Sequence, residues 1–160
     1  MFAEIKAYES LKEVFGPFSE GRWMEEVNLH LTLYFFGEVD DPEPIIEALQ
    51  GIRIPQEALC AEGFGFFEGK RTVFYAKVPG PVPEALHREI CRRIPGLQAD
   101  DPFIPHITLG RFRSFHRPEF DELAEAWGEK ELGRVIPELV LLQSIRTPEG
   151  PRYQALASWS

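Results

Sequence analysis

A chain of 160 residues with 44% hydrophobic residues is long and apolar enough for one packed core, which excludes a disordered segment. A formal net charge of −9, from 17 basic against 26 acidic residues, excludes indiscriminate coating of nucleic acid but leaves room for one locally basic site. The two cysteines, Cys60 and Cys91, have neither CxxC nor zinc spacing and read as free thiols in a reducing cytoplasm. The opening Met1-Phe2-Ala3-Glu4-Ile5 lacks the pattern of a signal peptide, and no apolar run approaches the roughly 18 residues of a membrane helix.

Taken in order, Ala3, Ile5 and Ala7 alternate with polar neighbours and predict a first strand. Glu9 to Phe18 predicts a short helix with Leu11, Val14, Phe15 and Phe18 inward, ended by Gly16-Pro17. Gly21-Arg22-Trp23 leads to a strand over Asn28 to Phe36. Asp40-Asp41-Pro42 starts a helix through Ile45, Ile46 and Leu49, closed by Gly51. Cys60 to Phe67 and Arg71 to Val78 read as strands around a Glu68-Gly69-Lys70 turn. Gly63-x-Gly65 is no phosphate loop, since no helix follows and the third glycine is missing.

Pro79-Gly80-Pro81 reads as a seam. Pro83 to Ile94 predicts a helix with Val82, Leu86, Ile90 and Ile94 on one side, and His87 is expected in solvent beside basic residues. Phe103 to Phe112 reads as a strand and Pro118 to Trp127 as a helix. Leu132 to Ile145 holds one long or two short strands interrupted near Pro137. A turn at Thr147 to Pro151 leads to a last strand in which Tyr153, Ala155, Ala157 and Trp159 share a face.

One pattern occurs twice. Leu29-His30-Leu31-Thr32-Leu33 and Pro105-His106-Ile107-Thr108-Leu109 both read His-x-Thr with apolar residues between. On a strand, the imidazole and the hydroxyl then share the polar face. The histidines stand about half the chain apart, and Pro42-Glu43 and Pro118-Glu119 follow them at the same distance. The expected fold is therefore α+β, a single bilobal domain over 1–160. It is an internally duplicated unit with its seam near 79–81, two antiparallel sheets lining a central cleft, and helices on the outer faces.

A single histidine on a strand is most often structural. Two at matching places, each with a threonine beside it, suit acid–base chemistry at one anionic centre, because an imidazole titrates near neutral pH. Hydroxyls donate to developing negative charge. One imidazole deprotonates water and the other protonates a departing ribose oxygen. This chemistry needs no cofactor, and no His, Asp or Glu set has metal-ligand spacing. Arg111, Arg113, His116 and Arg117 cluster in an otherwise acidic chain and support an anionic ligand, and Lys70-Arg71 and Arg92-Arg93 are further candidates to line its path.

These two segments resemble the paired His-x-Thr-x signatures of the two-histidine phosphoesterase superfamily, in its RNA 2′,3′-cyclic phosphodiesterase (2′–5′ RNA ligase) branch. The resemblance extends to the Trp23 approach, the Phe35-Phe36-Gly37 exit and the Ser144…Gly150…Tyr153 hairpin. It implies His30 as proton donor, His106 as proton acceptor, and Thr32 and Thr108 on phosphate oxygens. It also implies Arg111 on the phosphate and Phe35 stacked on a base, in keeping with the guanidinium fork and the aromatic platform. Arg111 and Phe35 each lie five residues past their histidine, so strict alternation sends them to the wrong face. A twist, bulge or strand end near Gly110 and Tyr34 is therefore required. The implied partner is RNA with a 2′,3′-cyclic phosphate end, acted on by a monomer with no membrane and no required protein partner. Two alternatives stay open: a phosphodiesterase for a small cyclic nucleotide or ADP-ribose cyclic phosphate, and a non-catalytic RNA-binding module.

Overall fold

The doubled motif sits where two antiparallel sheets meet. The computed structural model describes residues 1–127 and 130–160. One sheet is formed by β1 (Ala3–Ile5), β3 (Leu59–Glu62) and β7 (Glu131–Val135), in the order β1-β7-β3. The other is formed by β2 (Ser19–Trp23), β4 (Phe64–Phe67), β5 (Thr72–Lys77) and β6 (His106–Phe115), in the order β2-β6-β5-β4. Residues 29–31 join them edge to edge. Phe2 bridges to His30 on one side, and Leu31 bridges to Ile107 of β6 on the other. Backbone bonds from Ala3 N–H to Leu29 O (2.9 Å) and from Leu31 N–H to Met1 O (2.8 Å) hold the seam. A separate antiparallel hairpin, β8 (Leu139–Thr147) with β9 (Gly150–Trp159), completes the strands.

The burial pattern follows the alternation. Along β6, Ile107, Leu109 and Phe112 are buried while His106, Thr108 and Arg111 are not. The apolar face of that sheet is covered by α1 (Tyr8–Phe15) and α4 (Arg117–Trp127). Phe15 and Phe120 both meet Phe74 and each other, with centroids 5.1 to 5.4 Å apart. These rings explain the aromatic composition. The polar face of the sheet is left open as a cleft. α2 (Glu43–Ala48) and α3 (Pro81–Arg93) are tied together by Arg93, which donates to Gln50 O (2.9 Å) at the end of α2.

The antiparallel α+β architecture is the expected one, with local corrections. The strand expected over 28–36 is hydrogen-bonded only around 29–31; the chain then leaves the sheet. The strand expected over 60–67 is broken by Gly63, whose φ of +72° turns the chain from one sheet into the other. Val14, expected inward, is exposed. β2 is an addition to the expected strands, because Ser19-Glu20-Gly21-Arg22 shows no apolar alternation. Among the described residues no helix is long and apolar enough to cross a membrane.

Candidate active site

The antiparallel pairing of Leu31 with Ile107 dictates what lies beside it. One step either way, His30 falls opposite Thr108 and Thr32 falls opposite His106. Both pairs lie on the face opposite the two buried apolar side chains, so two imidazoles and two hydroxyls share one polar surface. Each ring is oriented identically. His30 Nδ1–H donates to Asn28 O and His106 Nδ1–H donates to Ile104 O, both at 2.7 Å and both two residues back. A carbonyl only accepts, so each neutral ring carries its proton on Nδ1 and leaves Nε2 as a free base. Both histidines are half-buried.

Burial lowers the pKa of both imidazoles below the usual value, and the carbonyl bonds only partly oppose it. Arg111 lowers both further, and the chain's amino terminus and His106 also act on His30. Arg111 is therefore within electrostatic reach of both rings. It gets there through a bulge. Phe74 pairs with Gly110 but Tyr75 pairs with Thr108, so β6 carries one extra residue and its alternation shifts. Gly110 and Phe112 are then buried, and Arg111 returns to the face of His106 and Thr108. The extra carbonyl, Leu109 O, accepts from Met24 N–H (2.8 Å) and from the buried Tyr8 hydroxyl (3.0 Å). Gly110 leaves room for the Phe112 ring, which an added Cβ would meet at 2.6 Å.

Beyond His106 the cleft is aromatic. Phe67 stands edge-on to the ring at 4.8 Å between centroids, and Tyr75 lies at 5.2 Å. Gly65 is opposite Tyr75 and an added Cβ there would meet the Tyr75 ring at 2.4 Å, so Gly65 serves side-chain packing and not a phosphate loop. A cavity of about 420 Å³ adjoins His106 and Thr32, walled by Tyr34, Phe35, Phe67 and residues 100–104. Phe35 stands on its rim, 82% exposed, where the chain has left the sheet. On the other side, Tyr153 of β9 meets the His30 ring edge-on at 5.3 Å.

His87 corrects the expectation of a solvated side chain: it is 0% exposed. Its Nδ1–H donates to Leu33 O (2.6 Å), its Nε2 accepts from Asp100 N–H (2.8 Å), and Phe103 stacks on it at 4.2 Å. It thus clasps both walls of the cavity. A helical count gives the missed signal: Pro83, His87 and Ile90 lie at i, i+4 and i+7, on the buried stripe. Arg117 pairs with Glu68 and Asp121, and Arg92 and Arg93 pair with Glu89, so these cations already have acidic partners. Sequence reasoning also missed Phe67 and Tyr75 as walls of the His106 site. Among the described residues no group of three or more His, Cys, Asp or Glu side chains is placed to hold a metal ion.

Two antiparallel sheets joined along one His-x-Thr segment, with a second alongside, define the class of two-histidine phosphoesterases. The chain belongs to the 2′–5′ RNA ligase superfamily, whose family model matches residues 3–145. Among its relatives is an RNA 2′,3′-cyclic phosphodiesterase of Aeropyrum pernix, 33% identical over 144 residues, 83% of this chain and 82% of that one. Another, of Thermotoga maritima, bears the same name and is 29% identical over 147 residues, 84% of this chain and 76% of that one. The fold is shared with E. coli LigT in apo form (TM-score 0.72, 23% identity, 98% of this chain and 92% of that one). A Thermus thermophilus protein also shares it (TM-score 0.69, 24% identity, 99% of this chain and 95% of that one).

Proposed function

We propose that this protein is an RNA 2′,3′-cyclic phosphodiesterase that opens cyclic ends to 2′-phosphates by metal-independent acid–base catalysis. The observation that carries this reading is the crossed set of His30, Thr108, Thr32 and His106 around one pairing, with both Nε2 atoms unprotonated in the neutral rings. His106 Nε2 takes a proton from water as its oxygen attacks phosphorus. The P–O3′ bond breaks, and His30, entering the step protonated, gives its Nε2 proton to the 3′ oxygen. The phosphate stays on the 2′ oxygen. Thr32, Thr108 and Arg111 bind its oxygens as negative charge builds. With a 5′ hydroxyl in place of water, the same step joins 2′–5′ ends as a minor activity. His106 takes the hydroxyl proton, the 5′ oxygen bonds to phosphorus, the P–O3′ bond breaks and His30 protonates the 3′ oxygen. The reverse step cleaves the 2′–5′ linkage and re-forms the cyclic phosphate.

The names of the relatives support the substrate, and the E. coli LigT structure complexed with 3′-AMP shows that a protein of this fold takes a ribonucleotide. The aromatic cavity beside His106 suits the terminal base, with Phe35 as its platform. Every residue invoked comes from one chain, which fits a monomer, and the free thiols Cys60 and Cys91 fit the cytoplasm. The matched halves support a single domain over 1–160 with its seam near 79–81.

The test is incubation with an oligoribonucleotide ending in a 2′,3′-cyclic phosphate, with excess EDTA, and resolution of the 2′- and 3′-phosphate products. Chelator-resistant formation of the 2′-phosphate is expected. Loss of activity on adding EDTA overturns the metal-free mechanism, and an unchanged cyclic end bound tightly by the protein makes it a binding module.

A further inference from the structure

Arg22 of β2 stands directly across from Arg111 of β6. Directly opposed residues of an antiparallel pair share a face. Trp23, the next residue, turns the other way and meets Phe74 and Phe112 in the core. Arg22 is therefore exposed on the cleft side, beside Arg111. Two like charges set face to face destabilise a sheet. Arg88 pairs with Glu84, Arg117 with Glu68 and Asp121, and Arg134 with Glu4, while Arg53, Arg71, Arg113, Arg146 and Arg152 have no ion pair among the described residues. What sets Arg22 and Arg111 apart is that they oppose each other on one face. Among the described residues neither Arg22 nor Arg111 has an acidic partner. Backbone shape, not counter-charge, accommodates Arg22. Gly150, at φ +120° in the hairpin turn, lies so close that an added Cβ would be 2.7 Å from the Arg22 Nη1.

These cations also give the cleft a direction. From the imidazoles, the cleft leads one way to the aromatic cavity beside His106 and Thr32. The other way, β6 runs from Thr108 to Arg111, and Arg22 lies one strand further out, about 4.8 Å away. A nucleotide with its base in the cavity and its cyclic phosphate at the imidazoles presents its remaining linkage, the 5′-phosphate, to the basic end. We infer that Arg22 is a second phosphate subsite that takes the phosphate on the 5′ side of the terminal nucleotide. Arg111 serves the reacting phosphate and Arg22 the next one. The preferred substrate class is then a strand end or 5′-phosphorylated nucleotide, in preference to a bare nucleoside cyclic phosphate. This rests on the phosphodiesterase reading above, and the experiment separates the two.

Binding is measured by calorimetry with 3′-AMP and with adenosine 3′,5′-bisphosphate, which differ only in the 5′-phosphate. A charge-assisted pair predicts about tenfold tighter binding of the bisphosphate to the wild-type protein. Arg22→Gln removes that preference and Arg22→Lys restores part of it, while thermal denaturation confirms an intact fold. In parallel, kcat/KM is compared for adenosine 2′,3′-cyclic phosphate with and without a 5′-phosphate. The loss caused by Arg22→Gln should be at least about fivefold greater with the 5′-phosphate than without it. No preference for the bisphosphate in the wild type, or an equal effect of Arg22→Gln on both ligands, overturns the subsite. Phosphate-selective binding with no turnover of either cyclic substrate keeps the subsite and overturns the phosphodiesterase reading.

Discussion

Leu31 sits directly across from Ile107, both fully buried, and this pairing crosses the motifs so that each histidine faces the other motif's threonine. In the mechanism we propose, the two imidazoles serve one reacting centre as a unit. Truncating either, as His30→Ala or His106→Ala, is expected to lower kcat by about 10²–10⁴-fold with unchanged circular dichroism. The double variant should lose little more than the worse single one, because half a proton relay is no relay. Rates from single-turnover kinetics check this, and full additivity would show that the rings act independently.

Acidity follows from burial. Both imidazoles sit below their usual pKa of about 6.5, because the half-buried site disfavours the cation and Arg111 repels it. A lowered pKa means the proton is lost at lower pH, so the singly protonated pair peaks on the acid side of neutrality in the free enzyme. A bound phosphate anion favours the cation and moves the pair back up. The bell for kcat/KM is therefore expected at lower pH than the bell for kcat. Arg111→Gln should move the kcat/KM bell to higher pH as well as weakening it. A profile that keeps its midpoints in this variant separates Arg111 from the imidazoles.

Much of the site could be read before the fold because strand chemistry has period two. His106 and Thr108 follow from alternation alone, and the five-residue spacing of Arg111 demanded the irregularity that the bulge at Leu109–Gly110 supplies. Phe35 shares that spacing, but its solution differs: residues past Leu31 leave the sheet, and no local signal marks the departure. The first motif reads as strand to Phe36 because Leu31 and Leu33 alternate correctly, yet Leu33 O is bonded by His87 and not by a neighbouring strand. Arg22 could not be placed because β2 is a short edge strand without apolar alternation. Its meaning depends on a partner far along the chain.

Gly110 is needed for its missing side chain. It is not among the glycines with positive φ, and an added Cβ would lie 2.6 and 2.8 Å from atoms of the fully buried Phe112 ring. Gly110→Ala is expected to cost about 1–3 kcal/mol in overpacking. It should also lower kcat/KM, because the bulge that aims Arg111 shifts with it. Chemical denaturation of Gly110→Ala, Phe112→Leu and the pair provides the check. The double variant should lose less stability than the two singles combined, since the smaller ring relieves the clash.

His87 should control the cavity without touching a substrate. In His87→Phe, the stack on Phe103 survives but Leu33 O loses its donor in a buried setting, at a cost of about 1–3 kcal/mol. Asp100 N–H lies on an exposed residue and regains water. With the clasp gone, the walls at 33–35 and 100–104 loosen. KM for adenosine 2′,3′-cyclic phosphate should rise more than kcat falls, whereas an equal change in both would assign His87 to general stability.

Phe35 provides the opposite case, a large apolar side chain whose removal the fold should not notice. At 82% exposure it contributes little to the core, so Phe35→Ala is expected to change stability by less than about 0.5 kcal/mol. Its position on the cavity rim gives it a face to offer a base, and such stacking is worth about 1–3 kcal/mol per base. That predicts a KM roughly five- to 150-fold higher for base-bearing cyclic phosphates. The control is 1-O-methyl-ribose 2′,3′-cyclic phosphate, which keeps the reacting ring and has no base to stack. If Phe35→Ala weakens both substrates alike, the exposed ring is not a base platform and the terminal base must lie deeper, against Phe67 and Phe103.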